Sequence, residues 1–314
     1  DDFRKQLNVH KPDSANYHQV EKRLTLLHYS AVQDFLRVNK LDALEIDLVG
    51  FHGHTIQHNP DELISIQIGD GKLLAEMLKI TVFHDFRSND IMHGGQGAPL
   101  TPIFHAKLAE NYTKPLVVLN LGGVANITWI GDEDEDLLAF DTGPGNAMID
   151  DWIFQHDAGV CDLGGKIAAS GSVDQNILRQ FLKHSYFGRK PPKSLDRNEF
   201  SLELLKNCSL EDGAATLGMF TVETVTLSQT YFPRPAKSWV VCGGGRHNSY
   251  ILSHLRDRLE QPVLNAEDIE WQGDAIEAQA FAYLAIRSSL GLPISFPNTT
   301  GVNVPLTGGK REHP

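Results

Sequence analysis

The sequence predicts an α/β chain of two domains, with a largely parallel sheet read from the strand–helix alternation of its first half. Three observations predict it. Short apolar runs with strand character alternate with segments of helical periodicity along most of the chain. Several of those runs end in glycine-rich or acidic turns: VVLNLGGVANIT at 117–128, AFDTGPGNAMIDD at 139–151 and WVVCGGG at 239–245. The length of 314 residues is enough for two cores.

Taken in order, the opening DDFRKQLN reads as the tail of a helix. Tyr17–Lys40 carries Leu24, Leu26, Leu27, Val32, Phe35, Leu36 and Val38, a spacing that predicts a long helix with one buried stripe. IDLVGFHGHTI at 46–56 is a strand ending in a polar turn, and SIQIGDGKLLAEML at 65–78 is strand, tight turn and helix. ITVFHDFRSND at 80–90 is a strand with a charged end, followed by a glycine loop and a helix opening near Pro102. From Pro115, PLVVLNLGG, VANITWIG and DLLAFDTG are three strands, with GDEDED at 131–136 as an acidic hairpin tip. A helix is expected over 147–154. FGRKPPKSLDRNEF at 187–200 holds Pro191 and Pro192, which break both helix and strand, so it reads as a loop over a site. Helices at 212–228 and 249–258 flank the strand KSWVVCGGG. The last helix, 274–289, opens with Asp274 as N-cap and Glu277 three residues on, a capping-box pattern. These elements place one domain at 1–114 and the other at 115–295, with an irregular tail at 296–314 packed on the first.

Composition narrows the partners. Forty acids against 28 bases give a net charge of −12, which argues against a nucleic-acid partner, since that requires a basic face. ATP needs only local positive charge. The longest apolar runs, such as PLVVL at 115–119, are too short to span a bilayer, and no basic start followed by an apolar stretch marks a secretory signal. Three scattered cysteines, Cys161, Cys208 and Cys242, make neither a disulfide framework nor a zinc site. A cytoplasmic protein is expected.

The chemistry gathers at the turns. Glycine lets backbone amides approach phosphate oxygens, and two such loops with an acid between them point to a nucleotide-dependent phosphotransferase. Asp141 stands at the end of a predicted strand, where α/β sheets place ligands. It could accept a proton or hold Mg²⁺, or it could cap the TGPG turn as an Asx residue; both readings stand. His52, His54, His58, His84 and His93 lie close in sequence, but no carboxylate stands at a metal-ligand spacing, so a polar pocket wall is preferred over zinc. Asp85, Arg87 and Asp90 form a cluster suited to a carboxylate and sugar hydroxyls, or to a surface ion pair. Arg189, Lys190 and Lys193 read as solvated charge.

The motifs together resemble a known family. GFHGHTIQHNP, QIGDGKLLAE, DFRSNDIMHGGQGAPLTPIFH, NLGGVANIT, FDTGPGNAMID, GRKPPKS, VVCGGGRHN, EAQAFAYLAIR and TTG occur in the order found in the 1,6-anhydro-N-acetylmuramic acid kinases, over residues 40–309. The resemblance implies an actin-like, hexokinase-like ATPase fold, with a sugar-side domain (1–114) and a nucleotide-side domain (115–295) around a cleft. It implies that ATP, Mg²⁺, water and the anhydro sugar yield N-acetylmuramate 6-phosphate and ADP in peptidoglycan recycling. By it, Asp141 is the general base for the water that attacks the anomeric carbon. Gly122, Gly123, Asn126, Gly143 and Gly145 lie along the phosphates, and Gly243, Gly244 and Gly245 near the adenosine. His52, Asp85, Arg87, Asp90, Gln96 and Glu277 face the sugar, with Arg87 suited to the lactyl carboxylate. A homodimer also fits the resemblance.

One departure stands out. The family's Gly-Thr-Ser-x-Asp-Gly phosphate hairpin has no counterpart in this sequence, which starts in what resembles the helix after it. The expectation is weak ATP binding, slow turnover, and a first domain that lacks sheet strands and exposes a core edge. A second reading is then a muramyl-sugar binding protein without turnover; a third, from the histidines alone, is a metal hydrolase.

Overall fold

The structure is a computed structural model that describes residues 15–133 and 136–314. The predicted helix tail at DDFRKQLN and the tip residues Asp134 and Glu135 lie outside the described residues. The chain is α/β, and divides into two units: 1–101 with 278–297 and 302–314, and 102–277 with 298–301. The division thus falls at 101/102 where sequence reading put it at 114/115, and it counts 278–295 with the first unit.

The first unit begins with helix α1 (Ala15–Asn39). Its inward stripe is Tyr17, Val20, Thr25 and Leu36, with Leu24 and Val32 half-buried. Leu26, Leu27, Phe35 and Val38, assigned above to the same stripe, are exposed: at 100° per residue Leu26 and Leu27 turn away from it, while Phe35 and Val38 keep its direction but lie in the last turns of the helix. Strand β1 (Leu48–Gly50) leads through a turn into the antiparallel hairpin of β2 (His54–Asn59) and β3 (Ile64–Ile68). Asp70 then caps α2 (Gly71–Leu78), its carboxylate accepting the Leu73 amide at 2.9 Å. Strand β4 (Thr81–His84) lies parallel to β1, and α3 (Ser88–Met92) follows. Among the described residues β1 pairs only with β4, and its three residues are half-buried.

The second unit opens with α4 (Pro102–Leu108), then strands β5 (Leu116–Leu121), β6 (Val124–Ile130) and β7 (Leu137–Pro144). Gly122 and Gly123 lie in the turn between β5 and β6, which are antiparallel with Leu121 opposite Ala125 as their last pair. Helices α5 (Ala147–Gln155), α6 (Lys166–Ser170), α7 (Gln175–Phe181) and α8 (Leu210–Ser228) carry the chain to β8 (Ser238–Cys242), parallel to β5. Helix α9 (Ser249–Arg258) crosses to β9 (Val263–Asn265), parallel to β8. The sheet order is β7-β6-β5-β8-β9, and only β6 runs against the others. Its strands are buried on both faces, as a helix-covered parallel sheet requires; Leu119, Ile127, Trp129 and Trp239 are fully buried. Helix α8, capped by Ser209, is buried nearly all round in the same core.

Helix α10 (Ile276–Ser289) begins after Asp274, which is not its N-cap. The buried Arg246 guanidinium draws that carboxylate away, Nη2 to Oδ1 at 2.8 Å, and binds Glu267 at the same distance. The expected irregular tail also carries structure. It holds α11 (Pro297–Thr300) and a strand β10 (Lys310–Glu312) that adds antiparallel to β4. KRE has no strand pattern; the open edge of β4 and the Lys310–Asp85 ion pair at 2.7 Å make it one.

His105 on α4 is fully buried, Nδ1 to Thr128 Oγ1 at 2.8 Å, and burial pushes its pKa down from 6.5 to about 4. The unfolded histidine takes its proton near pH 6.5 while the folded one stays neutral. The stability it contributes is therefore complete above pH 6.5 and is lost as pH falls toward 4. His105→Gln is expected to lower stability at pH 7 and to lessen that acid loss, as read by denaturant unfolding at pH 7 and 4.5.

Candidate active site

In the second unit the site starts from paired turns. The carbonyl of Gly122 accepts the Asn146 amide at 2.8 Å, and that of Gly123 accepts the amides of Gly145 and Ala147 at 3.0 and 3.1 Å. The turn between β5 and β6 thus satisfies the first amides of α5. The Asn146 side chain does not cap its own helix but donates to the carbonyls of Leu121 and Gly122, at 3.0 and 3.3 Å.

Asn120, Asn126 and Asp141 are register partners across β5, β6 and β7, and Cys242 on β8 pairs with Asn120. Cross-strand partners share a face, so a polar row crosses the end of the sheet. Asn120 belongs to this row and was missed as a candidate; its place two residues before Gly122 in NLGG was the available signal. A bulge at Thr142, whose Oγ1 donates to the Ala125 carbonyl at 3.2 Å, turns the end of β7 into the TGPG segment.

The eight candidate nucleotide-side residues divide by what surrounds them. A Cβ on Gly145 would meet the Gly122 carbonyl oxygen at 2.2 Å, and one on Gly143 the Thr224 hydroxyl at 2.6 Å. Gly243 has φ +75 and would crowd Asn120, while Gly245 would strike Leu121 at 2.5 Å. Packing demands glycine at those four. At Gly122 and Gly123 a Cβ would find only ordinary contacts, and at Gly244 nothing within 4 Å. Those three present open backbone, the condition for close approach by a phosphate. Asn126 is half-buried, opposite Asn120 and Asp141 in the register.

Asp141 is 8% exposed. Its Oδ2 accepts the Leu195 amide at 2.8 Å, its own amide donates to the Lys193 carbonyl at 3.0 Å, and its carbonyl accepts the Tyr186 hydroxyl at 2.6 Å. The proline loop therefore does lie over this residue, and its backbone extends the edge of β7. Burial, with the Asp141 charge second, holds the Tyr186 phenol protonated well above its usual range. Lys193 is corrected: it is not solvated charge but 6% exposed among aromatic rings, whereas Arg189 and Lys190 are exposed. Glu277 is exposed in the first turn of α10.

In the first unit, Arg87 Nη1 donates to the Gly97 carbonyl at 2.7 Å and Nη2 to His52 Nε2 at 2.8 Å. His52 Nδ1 must carry the proton, because its partner is the Gly53 carbonyl at 3.0 Å. Burial and the Arg87 charge push its pKa down to about 3, so the ring stays neutral. Asp90 is 1% exposed and its Oδ1 accepts the Gly97 amide at 2.6 Å. Arg87 and Asp90 together clamp the GGQG loop that carries the half-buried Gln96. Asp85 sits at φ +53, bonded to Ser88 and Lys310. His52, Ser65, Gln67, His84, Asp85 and Ser88 line a cavity of about 350 Å³, at the lower end of small-molecule pockets.

The histidines are dispersed. His58 bonds Ser65, His84 pairs with Glu312, and His93 bonds the Asn89 carbonyl. Among the described residues no three His, Cys, Asp or Glu side chains form a metal-holding group, and no helix is long and apolar enough to cross a membrane.

A five-stranded sheet in which only the second strand is reversed, with open glycine turns at one end, defines the class: an α/β ATPase fold of the actin-like, hexokinase-like type. Comparison with known proteins narrows it. The chain matches the family described as Anhydro-N-acetylmuramic acid kinase over residues 2–311, and it belongs to that family of kinases. The anhydro-N-acetylmuramic acid kinase of Paramagnetospirillum magneticum is 51% identical over 299 residues, covering 94% of this chain and 84% of the relative. Those of Zymomonas mobilis and Gluconobacter oxydans are 49% and 47% identical, each covering 95% of this chain and 82% or 83% of their own length. Among solved structures, an activator of 2-hydroxyisocaproyl-CoA dehydratase from Clostridium difficile with bound ADPNP matches 59% of this chain and 66% of its own. Its TM-score is 0.38 at 15% identity, too distant to carry an argument.

Gly145→Ala and Gly244→Ala separate the two kinds of glycine. Gly145→Ala is expected to destabilise the second unit by about 1–3 kcal/mol, the range for overpacking, and Gly244→Ala to stay within about 0.5 kcal/mol of the parent. Denaturant midpoints of the two variants check this.

Proposed function

We propose that the chain phosphorylates 1,6-anhydro-N-acetylmuramic acid at the expense of ATP, opening the internal ether with water to give N-acetylmuramate 6-phosphate, as a cytoplasmic step of peptidoglycan recycling. Family membership over nearly the whole chain supports the reaction. The observation that carries the mechanism is Asp141, buried at the end of β7 beside open glycine turns and held from three directions by the proline loop and its neighbours.

We assign the nucleotide to the glycine turns of the second unit. Gly122, Gly123 and Gly244 would offer backbone amides to phosphate and nucleoside, with Asn120 and Asn126 alongside; Gly143, Gly145, Gly243 and Gly245 keep those turns in place. When bound, ATP with Mg²⁺ supplies the phosphoryl group, a transfer that asks the protein mainly for positioning. Asp141 takes a proton from the water that adds to the anomeric carbon, and the released O6 becomes the acceptor. His52, Asp85 and Gln96 would offer polar groups to the sugar. Arg87 and Asp90 act by fixing the loop that carries Gln96, and the Arg87 guanidinium is assigned to the lactyl carboxylate. Glu277, exposed at the start of α10, is assigned to a sugar hydroxyl.

Asp141→Asn is expected to lower kcat by about 10²–10⁴, the range for losing a general base, with sugar affinity within about threefold by calorimetry. Retention of kcat within about tenfold would overturn the role of Asp141. Failure to form N-acetylmuramate 6-phosphate and ADP in equal amounts, by mass spectrometry, would overturn the reaction.

A further inference from the structure

A buried ammonium stands beside the proposed base. Lysine is rarely buried, because removing its charge from water is costly. Yet Lys193 is 6% exposed, and its Nζ lies 4.6, 5.0 and 5.7 Å from the ring centroids of Tyr186, Tyr231 and Phe140. All three fall within cation–π range. The ammonium also donates to the Tyr186 carbonyl at 3.3 Å.

The three rings come from three elements. Phe140 immediately precedes Asp141 on β7, Tyr186 lies in the helical turn Ser185–Gly188, and Tyr231 follows α8 in the turn Gln229–Tyr231. One side chain therefore staples these elements together. Tyr231 completes the attachment, its hydroxyl donating to the carbonyls of Phe187 and Arg189 at 3.0 and 3.1 Å. From this stapled segment come the bonds described for Asp141: the Lys193 carbonyl, the Leu195 amide and the Tyr186 hydroxyl.

We infer that Lys193 is a positioning residue for Asp141, its caged ammonium fixing the 193–195 backbone that aims the carboxylate. This rests on the reading of Asp141 as the base. Stability alone does not account for a lysine here. A methionine of similar length would fill an aromatic cage without desolvating a charge. Burial, and secondarily the Arg189 charge, push the Lys193 pKa down to about 8, while the Asp141 charge favours the ammonium. The charged groups acting on the cluster are Asp141, Arg189 and Glu199, with Tyr186 and Tyr231 as its titratable walls. A base must be held within about 0.5 Å of its productive place, and an error of about 1 Å is enough to cost 10²-fold; the cage sets that tolerance.

The test is steady-state kinetics of Lys193→Met, Lys193→Arg, Asp141→Asn and the double variant Lys193→Met/Asp141→Asn, with thermal melts alongside. Lys193→Met is expected to lower kcat by about 10–100-fold while KM for both substrates stays within about threefold and Tm is unchanged or higher. Lys193→Arg should recover part of the loss. In the Asp141→Asn background Lys193→Met should cost nothing more, since a residue that acts through another is not additive with it. The inference is overturned if kcat of Lys193→Met stays within about twofold of the parent. It is overturned equally if the same factor is lost with and without Asp141, or if Lys193→Arg and Lys193→Met fall together with a lowered Tm. Should Lys193→Met not fold, Tyr231→Phe is the second variant. A kcat loss with unchanged KM then supports the inference, and an unchanged kcat overturns it. Activity surviving in Asp141→Asn alone would instead remove the role of Asp141, leaving the two failures distinct.

Discussion

The carbonyls of Gly122 and Gly123 accept the amides of Gly145, Asn146 and Ala147, and the geometry of the second unit depends on that exchange. A strand turn normally leaves its carbonyls to water, and a helix start leaves its first amides without intrahelical partners. Here each supplies what the other lacks, so the turn after β5 and the start of α5 become one rigid edge. The fit leaves no room for a side chain at Gly145, whereas a Cβ on Gly122 or Gly123 would meet only ordinary contacts. Rigid, side-chain-free backbone at the end of a sheet is what a phosphate site requires.

The first unit solves a similar problem with charge. The GGQG loop follows α3, and its Gly97 has both backbone groups taken by charged side chains: the carbonyl by Arg87 and the amide by Asp90. Arg87 also fixes the tautomer of His52, which leaves that ring neutral and aimed. Phe281 on α10 packs its ring against His52 and Phe86, with centroids 4.3 and 5.5 Å away, so a helix from late in the chain sets the position of residues from its early part. Gly50 on β1 is glycine for the same reason, since a Cβ there would meet the Phe281 carbonyl oxygen at 2.3 Å.

Much of this was legible in the sequence. The strands at 116–121, 124–130, 137–144 and 238–242 announced themselves as apolar runs closed by glycine, because a strand buried on both faces must be apolar throughout. Helix α9 falls at its predicted bounds, with Asn248 as its cap. Asp141 was legible from its place between an apolar triplet and a TGPG turn. The outward leucines of α1 were not, since an apolar residue on an exposed face looks the same in sequence as one in the stripe. Nor was the capping box at Asp274, because the competing partner Arg246 stands 28 positions earlier in the chain.

Sequence by itself determined the α/β class, the order of elements, the glycine turns and the family, because these rest on local periodicity, turn chemistry and motif order. Tertiary structure alone decided which glycines are demanded by packing and which are open, since that depends on neighbours such as Thr224 and Leu121. It decided that KRE at 310–312 is a strand, because strand formation there follows from the free edge of β4. It also turned Lys193 from an ordinary charge in a basic loop into a caged ammonium beside Asp141. A lysine's environment is set by groups 7, 38 and 53 positions away in the chain (Tyr186, Tyr231 and Phe140), and no window of local sequence contains them.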